Sequence, residues 1–106
     1  MRTDRAAPGR MTRVPLALPP DHPAYEGHFP GAPVLPGAVL LDAVLGAIEA
    51  AGDGARRWRV TVVKFTGTVR PGDPLELEHE ALATGAIRFR VDSGERTVAT
   101  GMLSPL

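Results

Sequence analysis

The stretch Tyr25-Glu26-Gly27-His28-Phe29-Pro30-Gly31-Ala32-Pro33-Val34-Leu35-Pro36-Gly37-Ala38-Val39-Leu40-Leu41-Asp42 decides how the rest of the chain is read. It holds one histidine, three prolines and three glycines, and it ends in an apolar run whose first ionisable group is Asp42. From Gly37 to about Ala51 only Ala, Val, Leu, Ile and Gly accompany Asp42 and Glu49, which predicts a helix of about 15 residues and ~22 Å. Pro36 suits the first helical position, where a missing N–H costs nothing, and Gly52-Asp53-Gly54 supplies the stop. Apolarity on every side predicts a buried helix, not a surface amphipathic one. A titratable imidazole before the helix and the Asp42 carboxylate inside it have the makings of an acid/base site.

Toward the N-terminus, residues 19–36 contain six prolines, which excludes regular helix and disfavours paired strand. A loop this long in so short a chain is usually functional. Gly27 and Gly31 bracket His28-Phe29-Pro30, allowing backbone approaches that a side chain would forbid. Before the loop, Met11 to Leu18 places Val14, Leu16 and Leu18 on one side at period two, and Pro15 confines that strand to an edge or a bulge. Met1 to Arg10 reads as a loose arm.

Toward the C-terminus, Arg59 to Val69 is rich in β-branched residues, and Pro71-Gly72-Asp73-Pro74 is a tight turn. Leu75 to Ala83 alternates Leu75, Leu77, Ala81 and Ala83 against Glu76, Glu78 and Glu80, with His79 on the apolar side. Ala86 to Val91 sets Ile87, Phe89 and Val91 against Arg88 and Arg90. After Asp92-Ser93-Gly94-Glu95 comes a last strand, about Arg96 to Leu103. The three glutamates and two arginines are expected to pair across neighbouring strands on a solvated face. Short turns imply antiparallel neighbours, and a helix apolar all round needs cover from several directions. The expected architecture is therefore α+β: one domain, 1–106, with a curved antiparallel β-sheet wrapped around one long central helix.

Lys plus Arg and Asp plus Glu each total 12, so net charge offers no argument for nucleic acid or a membrane surface. Eleven of the twelve basic residues are arginine, the side chain suited to bidentate carboxylate or phosphate contacts. The absence of cysteine excludes disulfides, thiolate nucleophiles and cysteine-based metal sites. His22 and His79 lack clustered ligands at metal spacing, so no metal is expected. The N-terminus lacks a signal-peptide core, and the apolar run around Ala38 to Ile48 is too short to span a bilayer. A cytoplasmic location is the expectation.

Gly27-His28-Phe29-Pro30-Gly31-Ala32-Pro33-Val34-Leu35-Pro36-Gly37, followed by Asp42, resembles the active-site signature of the 3-hydroxyacyl-[acyl carrier protein] dehydratases of the hotdog fold. Lys64-Phe65 and Val69-Arg70-Pro71-Gly72-Asp73 match that family's strand-turn element, and the order of elements fits from Thr12 to Leu103. The resemblance implies a homodimer with active sites at the subunit interface, the loop histidine of one subunit working with the helix acid of the other. It places His28 as the histidine, Asp42 as the acid and the Gly37 N–H on the thioester carbonyl, with no cofactor. Asp42 is similar to the branch that also isomerises a double bond, where the other branch has Glu. Many relatives carry Gln where this chain has Gly46. The lead-in from Val14 to Gly27 resembles compact dehydratases of polyene or polyketide pathways.

The chemistry agrees. Dehydration needs a base at the carbon beside the carbonyl, a donor to the developing oxyanion and an acid for the leaving hydroxyl. His28, with an ordinary pKa near ~6.5, can be the base. The Gly37 amide at a helix N-terminus favours negative charge. Asp42 in apolar surroundings should be pushed toward the protonated, donating form by desolvation. Duller roles also fit: His28 as a packing residue, Asp42 bonding backbone amides, Gly37 as the small residue that follows Pro36. Ala38, Asp42 and Gly46 share one helix face, a small-residue stripe that leaves room for the thioester arm. Tyr25, Phe29 and Pro36 are expected to line the substrate site with Gly46. Arg56, Arg57 and Arg59 are candidates for the phosphopantetheine or the acidic carrier protein. Two rivals stay open: a hotdog thioesterase in which Asp42 activates water, and a noncatalytic acyl-binding or partner hotdog subunit.

Overall fold

The computed structural model describes residues 11–16, 18, 35–52 and 57–106. Five strands and one helix follow in the order β1 (Met11–Leu16), α1 (Gly37–Ala51), β2 (Trp58–Phe65), β3 (Leu75–Ala81), β4 (Ile87–Ser93) and β5 (Arg96–Pro105). The sheet is antiparallel throughout, in the order β1-β3-β4-β5-β2. This is the hotdog architecture. Pro15 lies on β1, an edge strand, where its missing N–H is tolerated.

Period-two alternation puts Leu75, Leu77 and His79 of β3 and Phe89 and Val91 of β4 inward, where all are buried. They meet Leu40, Val44 and Ile48 of α1, Val98, Ala99 and Leu103 of β5, and Leu16 of β1 in one core. The fourth expected inward residue of β3, Ala83, is exposed, because the strand ends at Ala81 and the chain turns. Phe89 needs Gly101 beside it: a Cβ there would come within 2.5 Å of the ring and 2.7 Å of the Val62 carbonyl oxygen.

The outward residues pair as their charges suggest. Glu78 lies opposite Arg90 and Glu80 opposite Arg88 in the β3–β4 register. Arg90 bonds Glu78 at 3.0 Å, Arg88 bonds Glu80 at 2.8 Å, and Arg13 of β1 reaches Glu78 at 2.6 Å and also Glu76. The Arg88–Glu80 and Arg90–Glu78 pairs are partly exposed, so each is worth about 0–1 kcal/mol.

The turn after β2 is tied down by polar contacts. The Arg70 N–H donates to the Asp73 carboxylate at 2.9 Å, Arg96 donates to the Thr68 carbonyl at 3.0 Å, and Gly72 takes the left-handed φ of 88° that the turn requires.

Candidate active site

The start of α1 is fixed to the sheet from outside the helix. The Leu35 N–H donates to the Val69 carbonyl at 2.8 Å, and Pro36 is the N-cap with extended backbone, not the first helical residue expected from sequence. Its carbonyl accepts from the N–H groups of Val39 and Leu40 at 3.1 and 3.2 Å. Gly37 is thus the first helical residue, and among the described residues its N–H has no acceptor. The first turn carries no acidic side chain, so none offsets the positive end of the helix dipole. The ring of Phe65, at the end of β2, lies against Gly37.

Asp42 follows about 7.5 Å farther along the helix axis. Here the fold departs from expectation. Leu40, Val44 and Ile48 are buried, but Ala38, Asp42, Gly46 and Ala50 form an exposed stripe. A sheet from one chain covers only one side of the helix. The desolvation argued for Asp42 from its apolar flanks is therefore not supplied by this chain's own packing. Among the described residues nothing lies within 4 Å of where a Cβ on Gly46 would be.

His28, Tyr25, Phe29 and Arg56 lie outside the described residues. Arg57 and Arg59 are exposed at the entry to β2, and the Arg57 carbonyl accepts from the Leu106 N–H at 3.0 Å. Among the described residues no cluster of His, Cys, Asp or Glu could hold a metal ion, and no helix is long and apolar enough to cross a membrane. An open depression of about 530 Å³ lies among the ion-paired side chains of the outer face, including Glu78, Glu80, Arg88 and Arg90. Those side chains point away from the core side of the sheet where α1 packs, so the depression is not part of this site.

Residues 4–102 match the family described as ApeI-like, ApeI dehydratase. The chain belongs to that family. It is 37% identical over 95 residues to the 3-hydroxyacyl-[acyl-carrier-protein] dehydratase FabZ of Thermus thermophilus, an alignment covering 76% of this chain and 67% of the relative. The corresponding enzyme of Thermomicrobium roseum is 34% identical, with 70% of this chain and only 53% of the relative covered. Among solved structures, the ApeI:P dehydratase heterocomplex of Xenorhabdus doucetiae is similar with a TM-score of 0.74 and 27% identity, covering 90% of this chain and 86% of that one. The fluoroacetyl-CoA thioesterase FlK shares the fold alone, at a TM-score of 0.62 and 14% identity over 91% of this chain and 83% of that one. Family membership thus favours the dehydratase signature over the thioesterase rival.

Sequence reading singled out Lys64-Phe65 only as a motif match. What it missed is the contact of Phe65 with Gly37. The signal available was the coincidence of a glycine at a helix start with an aromatic residue ending a strand, and nothing in a linear sequence says that the two meet.

Proposed function

We propose that the protein dehydrates a 3-hydroxyacyl thioester, carried by acyl carrier protein or coenzyme A, to the trans-2-enoyl thioester. The observation that carries this reading is Asp42 on the uncovered face of a largely apolar helix, following a Gly37 amide with no acceptor among the described residues, in a chain of a dehydratase family. Neutral His28 removes the proton from C2, and the Gly37 N–H stabilises the negative charge that develops on the carbonyl oxygen. Asp42, as the general acid, delivers a proton to the C3 hydroxyl. The C3–O bond breaks, water leaves and the C2–C3 double bond forms. Isomerisation of that double bond, which Asp42 in place of Glu suggests, is a separate later step.

The functional unit is a homodimer in which His28 of one subunit works with Asp42 of the other. Two features support it: the bare stripe around Asp42, and the edge strand β2 with its exposed Val60, Val62 and Phe65. A related hotdog chain as the partner is the alternative, favoured by the heterocomplex of the Xenorhabdus relative. Arg56, Arg57 and Arg59 are proposed to meet the carrier, and Tyr25, Phe29, Pro36 and Gly46 the substrate. The reaction is carried out by side chains and one backbone amide in the cytoplasm.

The purified protein is tested with a 3-hydroxyacyl thioester while enoyl product and free thiol are followed separately. Enoyl formation without thiol is expected, and it should disappear in His28→Ala and Asp42→Asn. Thiol release would make the protein a thioesterase, and neither product would leave it an acyl-binding or partner subunit.

A further inference from the structure

The ring of Phe65 lies flat on the first residue of α1. A Cβ placed on Gly37 would sit 2.8 Å from Cζ, 2.9 Å from Cε2 and 3.1 Å from Cε1 of that ring. Three nearly equal distances put the point over the ring face at its para end, not in front of its edge. Any side chain at position 37 would have to displace the ring. Phe65 is nevertheless 48% exposed, so only part of its surface is spent on this contact.

Phe65 also completes a chain of supports. Arg96 holds the connection after β2 through the Thr68 carbonyl and Asp73, and the Val69 carbonyl in that connection takes the N–H of Leu35. The backbone just before α1 is thereby fixed, but nothing in that set touches Gly37 itself. The ring does.

We infer that Phe65 is a positioning residue for the Gly37 amide. Its ring demands glycine at 37 and sets the first turn of α1 against the end of β2. A hydrogen-bond donor aimed at a developing oxyanion works because it is already oriented and because the site around it is poorly solvated. Loss of the ring therefore weakens the amide's grip on the transition state more than on the ground state. The inference rests on the oxyanion role proposed above for Gly37.

The test uses the full chain, with steady-state dehydration kinetics and thermal unfolding measured on Gly37→Ala, Phe65→Ala, Phe65→Tyr and the Gly37→Ala/Phe65→Ala double variant. Phe65→Tyr keeps the ring face and stays within about 3-fold of wild type. Phe65→Ala lowers kcat by about 10- to 100-fold with little change in KM, the signature of a donor that acts in the transition state. Gly37→Ala lowers both kcat and the unfolding midpoint. In the double variant the new methyl group enters the space the ring has left, so adding Gly37→Ala costs less than about 3-fold more in rate and no further loss of midpoint. If Phe65→Ala unfolds the chain, Phe65→Leu provides the same comparison, retaining apolar volume without a flat face.

Costs that multiply in the double variant, or a Phe65→Ala effect confined to KM, would overturn the inference. Coupling in thermal unfolding can be read without turnover. Coupled unfolding in a protein that never dehydrates would refute the oxyanion role and the positioning role together, whereas uncoupled variants of an active enzyme would refute the positioning role alone.

Discussion

His79 is a buried histidine whose Nε2 has no hydrogen-bond partner among the described residues. In register it lies between Thr12 of β1 and Phe89 of β4, while Glu78 and Glu80 on either side point to the outer face. Burial lowers its pKa from the ordinary value, because the charged imidazolium would lose hydration without gaining a counter-ion. The unfolded chain, with a histidine pKa near ~6.5, binds the proton more readily than the folded one. Stability from neutral His79 is thus complete above about pH 6.5 and is lost as pH falls from there through the lower folded pKa. The thermal midpoint of wild type is expected to drop more between pH 7.5 and 5 than that of His79→Leu, conditions chosen to bracket that ~6.5 value; superimposable profiles would contradict it. The inward position of His79 was legible from alternation along β3. Its lack of a partner was not, since Thr12 and Phe89 reach it only through pairing with other strands.

The helix was the most legible element and also the one read least completely. Its composition marked Gly37 to about Ala51, the span observed, and displaced Pro36 by only one position. Yet uniform apolarity carries no information about which face is covered, and the exposed stripe of Ala38, Asp42, Gly46 and Ala50 appears only once the sheet is in place. Gly46 makes this testable. Among the described residues nothing lies within 4 Å of where the Cβ of Gly46→Leu would sit, and the change replaces a poor helix former by a good one, a gain of about 0.5–1 kcal/mol in stability. Thermal unfolding should show a midpoint unchanged or raised, while dehydration kinetics show a higher KM or lost turnover as leucine fills the space beside Asp42. An enzyme with unaltered kinetics would mean that this stripe faces no substrate. The ion pairs of β3 and β4 were readable for the opposite reason: opposite charges at matching alternation leave little choice of partner.

For the whole molecule, the proposed shared active site makes a prediction about mixtures. His28→Ala and Asp42→Asn should each be inactive alone, but a dimer formed from one of each would hold one site with both residues intact. After subunit exchange, about half the dimers are mixed, so about a quarter of wild-type activity should return, measured as enoyl formation over time. A site built within one subunit would return nothing. The sequence by itself determined the strand periods, the helix with Asp42 inside it, and the signature that spans His28, Gly37 and Asp42, because each is written in local composition or short spacing. Tertiary structure decided which helix face is bare, that β2 is an edge, and that the Phe65 ring rests on Gly37. Those depend on contacts between residues far apart in the chain, such as the Phe65 ring against Gly37, which no local pattern encodes.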